Sequence, residues 1–364
     1  MTEKPVIIKA LAFIRVFAVA APASGANLYM DAGNTVYQFD GSGNAINSAV
    51  VDVNSSYTAR GLAFGPDKRL YVGVSGDNRV DSFDLNLGSH VTEYVAHGQG
   101  QLFSPSGATF GPDGNLYVVS FGTLTIDRFF GPSASVPGGN DPSSYFGPAV
   151  FNAGWSSSKP APFAEKFASN GTLYVSSQNR ISWYDSPIPL GFPGHSTSFG
   201  PINLGQMAIN SGGTLLYVRA NNQVVKLSIN PDHSLTLDGS FSVSYPAGLD
   251  NSLGLAFGPD GVLYTTTHTP NGLADPSKNA DYVVQIDPTT GAATPFIQGN
   301  IDQYTSPLFL TFAPVPEPCS LVLSALGVVI SLVAGQCGKH ETCSGHWTAF
   351  AGSEYSSISA CFPL

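Results

Sequence analysis

The chain has 364 residues and a formal net charge of −10, and Lys, Arg, Asp and Glu together make up 11% of it, against roughly 25% in an average soluble domain. Gly (40) and Pro (27) are abundant, and Glu supplies only six of the 25 acidic residues, which argues against long amphipathic helices and for short strands joined by tight turns. The lack of a basic block argues against nucleic acid as the main partner, while 43% apolar and 11% aromatic content is enough to build a core.

Residues 1–26 read as an export signal. Lys4 and Lys9 form a positive start, residues 10–20 an apolar stretch and residues 21–26 a run of small residues that a signal peptidase accepts. Arg15 interrupts the apolar stretch, and the alternative is a buried N-terminal strand or helix.

A repeat occupies residues 27–314. Gly61-Leu62-Ala63-Phe64-Gly65-Pro66-Asp67 precedes Leu70-Tyr71-Val72, Gly107-Ala108-Thr109-Phe110-Gly111-Pro112-Asp113 precedes Leu116-Tyr117-Val118, and Gly254-Leu255-Ala256-Phe257-Gly258-Pro259-Asp260 precedes Leu263-Tyr264. Weaker copies end at Tyr174 and Tyr217, and Tyr29 opens the first, so successive tyrosines are 42, 46, 57, 43 and 47 residues apart. These intervals match the roughly 40–50 residues of a propeller blade. Each copy predicts an apolar strand, a Gly-Pro-Asp turn, a Leu-Tyr-Val return strand, a turn rich in Gly, Asn and Asp, a third strand and a less patterned outer strand. The third strand ends in Asp at Asp40, Asp84, Asp185 and Asp287. Phe64, Phe110, Phe167 and Phe257 each precede their tyrosine by seven residues, whereas Tyr29 has no such partner. Leu308 to Phe312 supplies an inner-type strand with no Leu-Tyr after it. The expected fold is therefore all-β, a six-bladed propeller in which a C-terminal strand completes the first blade.

The Gly-Leu-Ala-Phe-Gly-Pro-Asp-Gly and Leu-Tyr-Val combination resembles the NHL-type and gluconolactonase-like (SMP-30) propellers across the whole middle of the chain. The resemblance implies a fold that hosts many activities; its enzymes, SMP-30 lactonases and streptogramin lyases among them, use a divalent metal or a His/Glu pair at one channel mouth.

One face of such a ring collects the loops entering each first strand and those joining second to third strands. It holds Arg60, Asp77, Asn78, His97, Trp155, Asn251, His268, Asp275, Asp281, Asp302 and Tyr304, and its longest insertions are expected at 132–162 and 268–281. An enzyme reading takes His97 or His268 as base, with Ca²⁺ or Mg²⁺ held by Asp and Asn oxygens. Outside that reading no metal or other cofactor is expected, and the Asp residues of the Gly-Pro-Asp turns read as turn formers. A binding reading uses loop aromatics, Tyr145, Phe146, Phe151, Trp155, Phe192 and Tyr304, to stack on a sugar or receive a protein surface.

Residues 315–335 contain Pro316-Glu317-Pro318 followed by an uncharged 17-residue stretch from Cys319 to Gly335, at the short limit for crossing a bilayer. This pair resembles the PEP-CTERM sorting signal, which implies handling by an exosortase, a membrane helix, and a periplasmic, cell-surface or extracellular destination in a Gram-negative-type bacterium. An extracellular polysaccharide is a ligand implied by the same resemblance. The family's Arg-rich ending is replaced by a polar tail, 336–364, in which Cys337, His340, Cys343 and His346 lack the looped pair spacing of structural zinc sites. Together these features predict an exported binding or scaffold propeller with a glycan or protein ligand; the alternative is a metal-dependent lactonase or lyase.

Overall fold

A computed structural model of the chain describes residues 26–53, 56–85, 89–139, 161–185, 195–198, 203–221, 223–242, 253–270, 279–300 and 307–314. These form six antiparallel sheets, the blades of a propeller. Blade 1 runs Pro307–Phe312, Leu28–Ala32, Thr35–Phe39, Ala45–Asp52, from the axis outward. Blade 2 runs Thr58–Phe64, Leu70–Ser75, Arg79–Asp84, Ser89–Val95; blade 3 runs Pro105–Phe110, Leu116–Ser120, Thr125–Phe129 among the described residues. Blade 4 is Pro162–Phe167, Leu173–Ser177, Arg180–Tyr184, His195–Ser198, and blade 5 is Leu204–Ile209, Leu215–Ala220, Gln223–Ile229, Leu235–Ser242. Blade 6 is Leu255–Phe257, Leu263–Pro270, Asn279–Ile286, Ala293–Asn300. No helix among the described residues is long and apolar enough to cross a membrane. The expected export signal, the Pro316-Glu317-Pro318 motif with its apolar stretch and the four cysteines lie outside the described residues.

The repeated motif is a set of contacts. In blades 2, 3 and 6 the Asp of Gly-Pro-Asp uses one oxygen to accept the backbone N–H two residues on, and the other to accept the hydroxyl of the Leu-Tyr tyrosine. Tyr71, Tyr117 and Tyr264 each donate to that carboxylate at 2.9 Å. The preceding glycine is required by this packing: a Cβ on Gly65 would fall 2.5 Å from both Asp67 Oδ1 and Tyr71 Cε2. In blade 4 the turn is Ala168-Ser169-Asn170, and Tyr174 donates instead to the carbonyl of His233 in blade 5, at 3.0 Å. The His233 side chain also ties these blades, its Nδ1 lying 2.9 Å from Asp185 Oδ1.

The seven-residue spacing of Phe and Tyr also has a physical reason. Five of the six tyrosines meet the inner-strand phenylalanine of the next blade edge-on: Tyr29 with Phe64, Tyr71 with Phe110, Tyr117 with Phe167, Tyr217 with Phe257 and Tyr264 with Phe312, at 4.8–5.3 Å between ring centres. Such T-shaped pairs add roughly 0.5–1.5 kcal/mol each beyond area burial. At the junction of blades 4 and 5 the place of the phenylalanine is taken by Ile209, packed in the same cluster as Tyr174.

The ring closes as expected: Leu28 pairs with Phe312, Tyr29 with Thr311 and Met30 with Leu310. The inner strands of blades 1 to 5 are irregular at matching positions, with register shifts such as Arg60/Leu62, Pro162/Ala164 and Leu204/Met207. Residues two beyond the tyrosine satisfy this layer. Asp31 accepts the N–H groups of Leu308 and Phe309, Ser176 donates to the carbonyl of Gly205, and Thr266 accepts the N–H of Gly254.

Candidate functional site

At the face that carries the loops into the inner strands and the turns between second and third strands, blade 2 brings three of the expected residues together. Asp77 and Asn78 form the turn before Arg79–Asp84, and His97 lies in the loop that follows Ser89–Val95. Arg79 donates to Asp77 and, through Nε and Nη2, to Asp81 at 2.9 and 3.1 Å. His97 Nδ1 sits 2.6 Å from the Asp77 carbonyl oxygen and 3.3 Å from its Oδ1, and Asn78 Oδ1 accepts the Ser104 N–H at 2.8 Å. These groups are engaged with one another and with the turn backbone. Arg60 is half-buried in the inner strand of blade 2, with its charge toward the buried carboxyl of Asp31. At the same end of blade 6 the backbone of Asp281 pairs with Thr269, the neighbour of His268. Trp155, Asn251, Asp275, Asp302 and Tyr304 lie outside the described residues, as do Tyr145, Phe146, Phe151 and Phe192. Among the described residues no group of three or more His, Cys, Asp or Glu side chains is placed to hold a metal ion.

Of the insertion expected on this face at 132–162, residues 132–139 and 161–162 are described. Residues 132–139 follow the third strand of blade 3, and this segment is held along the flank between blades: the Gly131 N–H donates to Asn115 Oδ1 (3.0 Å), Tyr94 to the Phe130 carbonyl (2.7 Å) and Gln99 to the Gly138 carbonyl (3.1 Å). It is placed there because Thr125–Phe129 runs back toward the Gly-Pro-Asp end, so the loop leaves from that end.

Sequence reasoning missed two aromatic residues on the loop-bearing face. Phe103 and Phe121 are 54% and 41% exposed. They sit on adjoining segments locked by three bonds: Gly122 N–H to the Phe103 carbonyl (2.9 Å), Phe121 N–H to the Ser104 carbonyl (3.2 Å) and Phe103 N–H to Ser120 Oγ (2.9 Å). Gly122 is required here, since a Cβ would run into the Phe103 ring.

A second feature lies in the channel. The halves of the six inner strands that lead to the Gly-Pro-Asp turns enclose a cavity of about 430 Å³. Where Glu165 stands, the other blades place Leu62, Ala108, Met207, Leu255 and Leu310; where Lys166 stands, they place Ala63, Thr109, Ala208, Ala256 and Thr311. Both charged residues line the cavity. Glu165 is 5% exposed, and neither carboxyl oxygen has a partner in another residue. Burial holds its carboxyl well above the usual carboxylate range, and only its own backbone N–H and the charge of Lys166 oppose this. Lys166 is accessible to solvent within the channel, and the surrounding walls lower its ammonium below the usual lysine range despite the neighbouring carboxyl. Gln206 crosses the same space: its Nε2 donates to the Leu310 carbonyl (2.9 Å), and its Oε1 accepts from Leu255 N–H (3.0 Å) and Leu310 N–H (3.2 Å). The signal for Glu165 and Lys166 was available: Phe167 fixes the register, and Ala-Glu-Lys-Phe then replaces Gly-Leu-Ala-Phe.

No protein-family model matches the chain, and no curated protein matches it in sequence. Solved structures do match in fold. A chain of the nidogen/laminin complex aligns with a TM-score of 0.55 at 13% identity, over 80% of this chain and 99% of that one. A protein of unknown function from Bacteroides caccae aligns with a TM-score of 0.55 at 12% identity, over 79% and 98%. The periplasmic gluconolactonase PpgL of Pseudomonas aeruginosa aligns at 0.47 and 15% identity, over 80% and 100%. At these identities the likeness is one of fold: the chain is a six-bladed, all-β propeller with propeller lactonases among its structural neighbours.

Proposed function

We propose that this chain is an exported propeller that binds a glycan or a protein ligand on its loop-bearing face, and that its Pro316-Glu317-Pro318 segment directs it to the cell surface through exosortase-type sorting. The observation that carries the binding reading is the Phe103 and Phe121 pair. Two exposed rings on a hydrogen-bonded, glycine-backed support form a preorganised stacking surface, which costs little entropy to use. The charged residues around them are held by internal bonds, which suits a polar rim. The localisation half of the proposal rests on the sequence resemblance alone.

The test is a glycan array and a pull-down from the producing organism's envelope fraction, each done with the purified chain and with a Phe103→Ala/Phe121→Ala variant. Loss of both rings is expected to weaken binding roughly tenfold or more. A blank array together with an empty pull-down, or binding unchanged in the double variant, overturns it. Metal analysis and melting with Ca²⁺, Mg²⁺ or EDTA separate this reading from a metal-dependent lactonase or lyase, for which a bound ion and an ion-dependent melting temperature are expected.

A further inference from the structure

The channel cavity lies at the opposite end of the inner strands from the face just described, and its volume of about 430 Å³ falls within the range of small-molecule pockets. One tier of the inner strands makes its space. Ala63, Thr109, Ala208, Ala256 and Thr311 are small, and at the same position blade 4 alone places a long side chain, Lys166. The neighbouring tier, toward the Gly-Pro-Asp turns, is a rim of half-buried rings: Phe64, Phe110, Phe257 and Phe312. One cation thus lines a space that small side chains leave and aromatic rings border.

That charge is not balanced from within the cavity. The Glu165 carboxyl oxygens are buried against the Gly107 backbone, and burial favours their neutral form, so they give the cavity no negative charge. Among the described residues no hydrogen bond or ion pair holds the Lys166 ammonium. Thr109 and Thr311 add hydroxyls that can donate, and neither hydroxyl bonds to another described residue. An ammonium walled in without a partner is costly. The strand itself does not need it, since five sister blades build the same position from alanine or threonine. The complement of this arrangement is an anion, and the phenylalanine rim favours an anion with an apolar end.

We propose that this end of the channel binds a small monocarboxylate with an apolar tail, its carboxylate on the Lys166 ammonium and its tail against the phenylalanine rim. Gln206, two positions deeper along the axis, is already committed to blades 6 and 1 and bounds the site on that side. Binding at this end is independent of the loop-bearing face, so either reading stands if the other fails.

The test is calorimetric titration of the full chain with hexanoate and 3-phenylpropionate, with the primary amide of each, and with acetate. Hexanoate or 3-phenylpropionate is expected to bind. The amides are expected to bind roughly ten- to a hundredfold more weakly, as for loss of a charge-assisted hydrogen bond, and acetate about tenfold or more weakly for want of a tail. Lys166→Ala gives blade 4 the residue of blades 2, 5 and 6, so the fold is expected to persist, which its melting curve checks. This variant is expected to lose tenfold or more in affinity, and Lys166→Arg to retain part of it. The comparison of acids with amides on the unaltered chain decides the matter even if a variant fails to fold. The proposal is overturned if neither tailed carboxylate binds, if the amides or acetate bind as tightly, or if a folded Lys166→Ala chain binds unchanged.

Discussion

In blade 2 the charged residues Asp77, Arg79 and Asp81 lie against one another beside a turn, and the inner strand offers Leu62 and Ala63 to the channel. In blade 4 the inner strand carries Glu165, whose carboxyl oxygens are buried without a partner, and Lys166, which lines the channel, and the Gly-Pro-Asp turn has become Ala168-Ser169-Asn170. The strand plan is the same. Blade 2 therefore shows what the repeat needs to fold, namely a glycine, a turn carboxylate, a tyrosine and an edge-on phenylalanine. Blade 4 shows what can be changed while the neighbouring blades hold the ring together. A repeat architecture tolerates such local departures because each blade contacts mainly its neighbours.

The most drastic way to break the comparison is to open the ring. Deleting residues 306–313 removes the inner strand of blade 1 together with the Leu308 and Phe309 N–H groups that Asp31 accepts from, and cooperative unfolding in calorimetry is expected to disappear. A truncated chain that melts like the intact one would show that the blades are held independently.

Next in size is a titration that sets blade 3 beside blade 2. Asp127 occupies the position of Asp81, but two residues before it stands Thr125, a 3.0 Å hydroxyl partner, where blade 2 has Arg79. Burial pushes Asp127 up to about 7. The unfolded carboxyl releases its proton near pH 4, so between these values the folded state binds more protons. The contribution is complete below about pH 4, falls as pH rises and levels off above about 7. Asp127→Asn is expected to remove on the order of 4 kcal/mol of pH-dependent stability change across this range, measured by denaturant unfolding. An unaltered slope would mean that the carboxyl reaches solvent. Asp31, also pushed up to about 7 by burial, supplies a similar slope in blade 1 and remains as an internal reference.

A smaller effect tests the turn. Gly65→Ala forces a methyl against Asp67 and Tyr71 and is expected to destabilise the protein by about 1–3 kcal/mol, whereas Ala168→Gly at the matching position of blade 4 should cost about 1 kcal/mol or less. Equal losses at the two sites would show that the turns are equivalent after all. Smallest is Glu165→Leu, which gives blade 4 the pattern of blade 2 and is expected to raise stability by roughly 1–2 kcal/mol as an unpartnered buried carboxyl is removed. A loss of stability would mean that Glu165 is structural.

The fold was legible because its determinants are local and repeated. Tyrosine spacing marked the blades, the missing phenylalanine before Tyr29 marked the split blade, and Leu308 to Phe312 supplied the strand that completes it. The Asp residues of the Gly-Pro-Asp turns also read correctly as turn formers: Asp67, Asp113 and Asp260 accept the N–H groups of Arg69, Asn115 and Val262. Less of the site could be read. Asp77, Asn78 and His97 lie together at the loop-bearing end, and their internal bonding depends on the loop that brings His97 back to the turn. Phe103 and Phe121 gave no warning, because exposure of an aromatic residue is decided by packing that spacing alone does not encode. Glu165 and Lys166 could be placed in register from Phe167, but the burial of the Glu165 carboxyl without a partner depends on packing that the spacing does not encode.

The shared blade also shapes how the chain is made. Asp31 waits for the backbone of Leu308 and Phe309, 277 and 278 residues later. While the polypeptide grows from its N-terminus, the first sheet lacks its axial strand and the ring cannot close until nearly all of the repeat has been synthesised. Closing so long a loop carries an entropic cost that local contacts do not, and such non-local pairing slows folding. An ensemble short of this strand stays open, and the final few residues of the propeller then act as the latch that commits the chain to its native form.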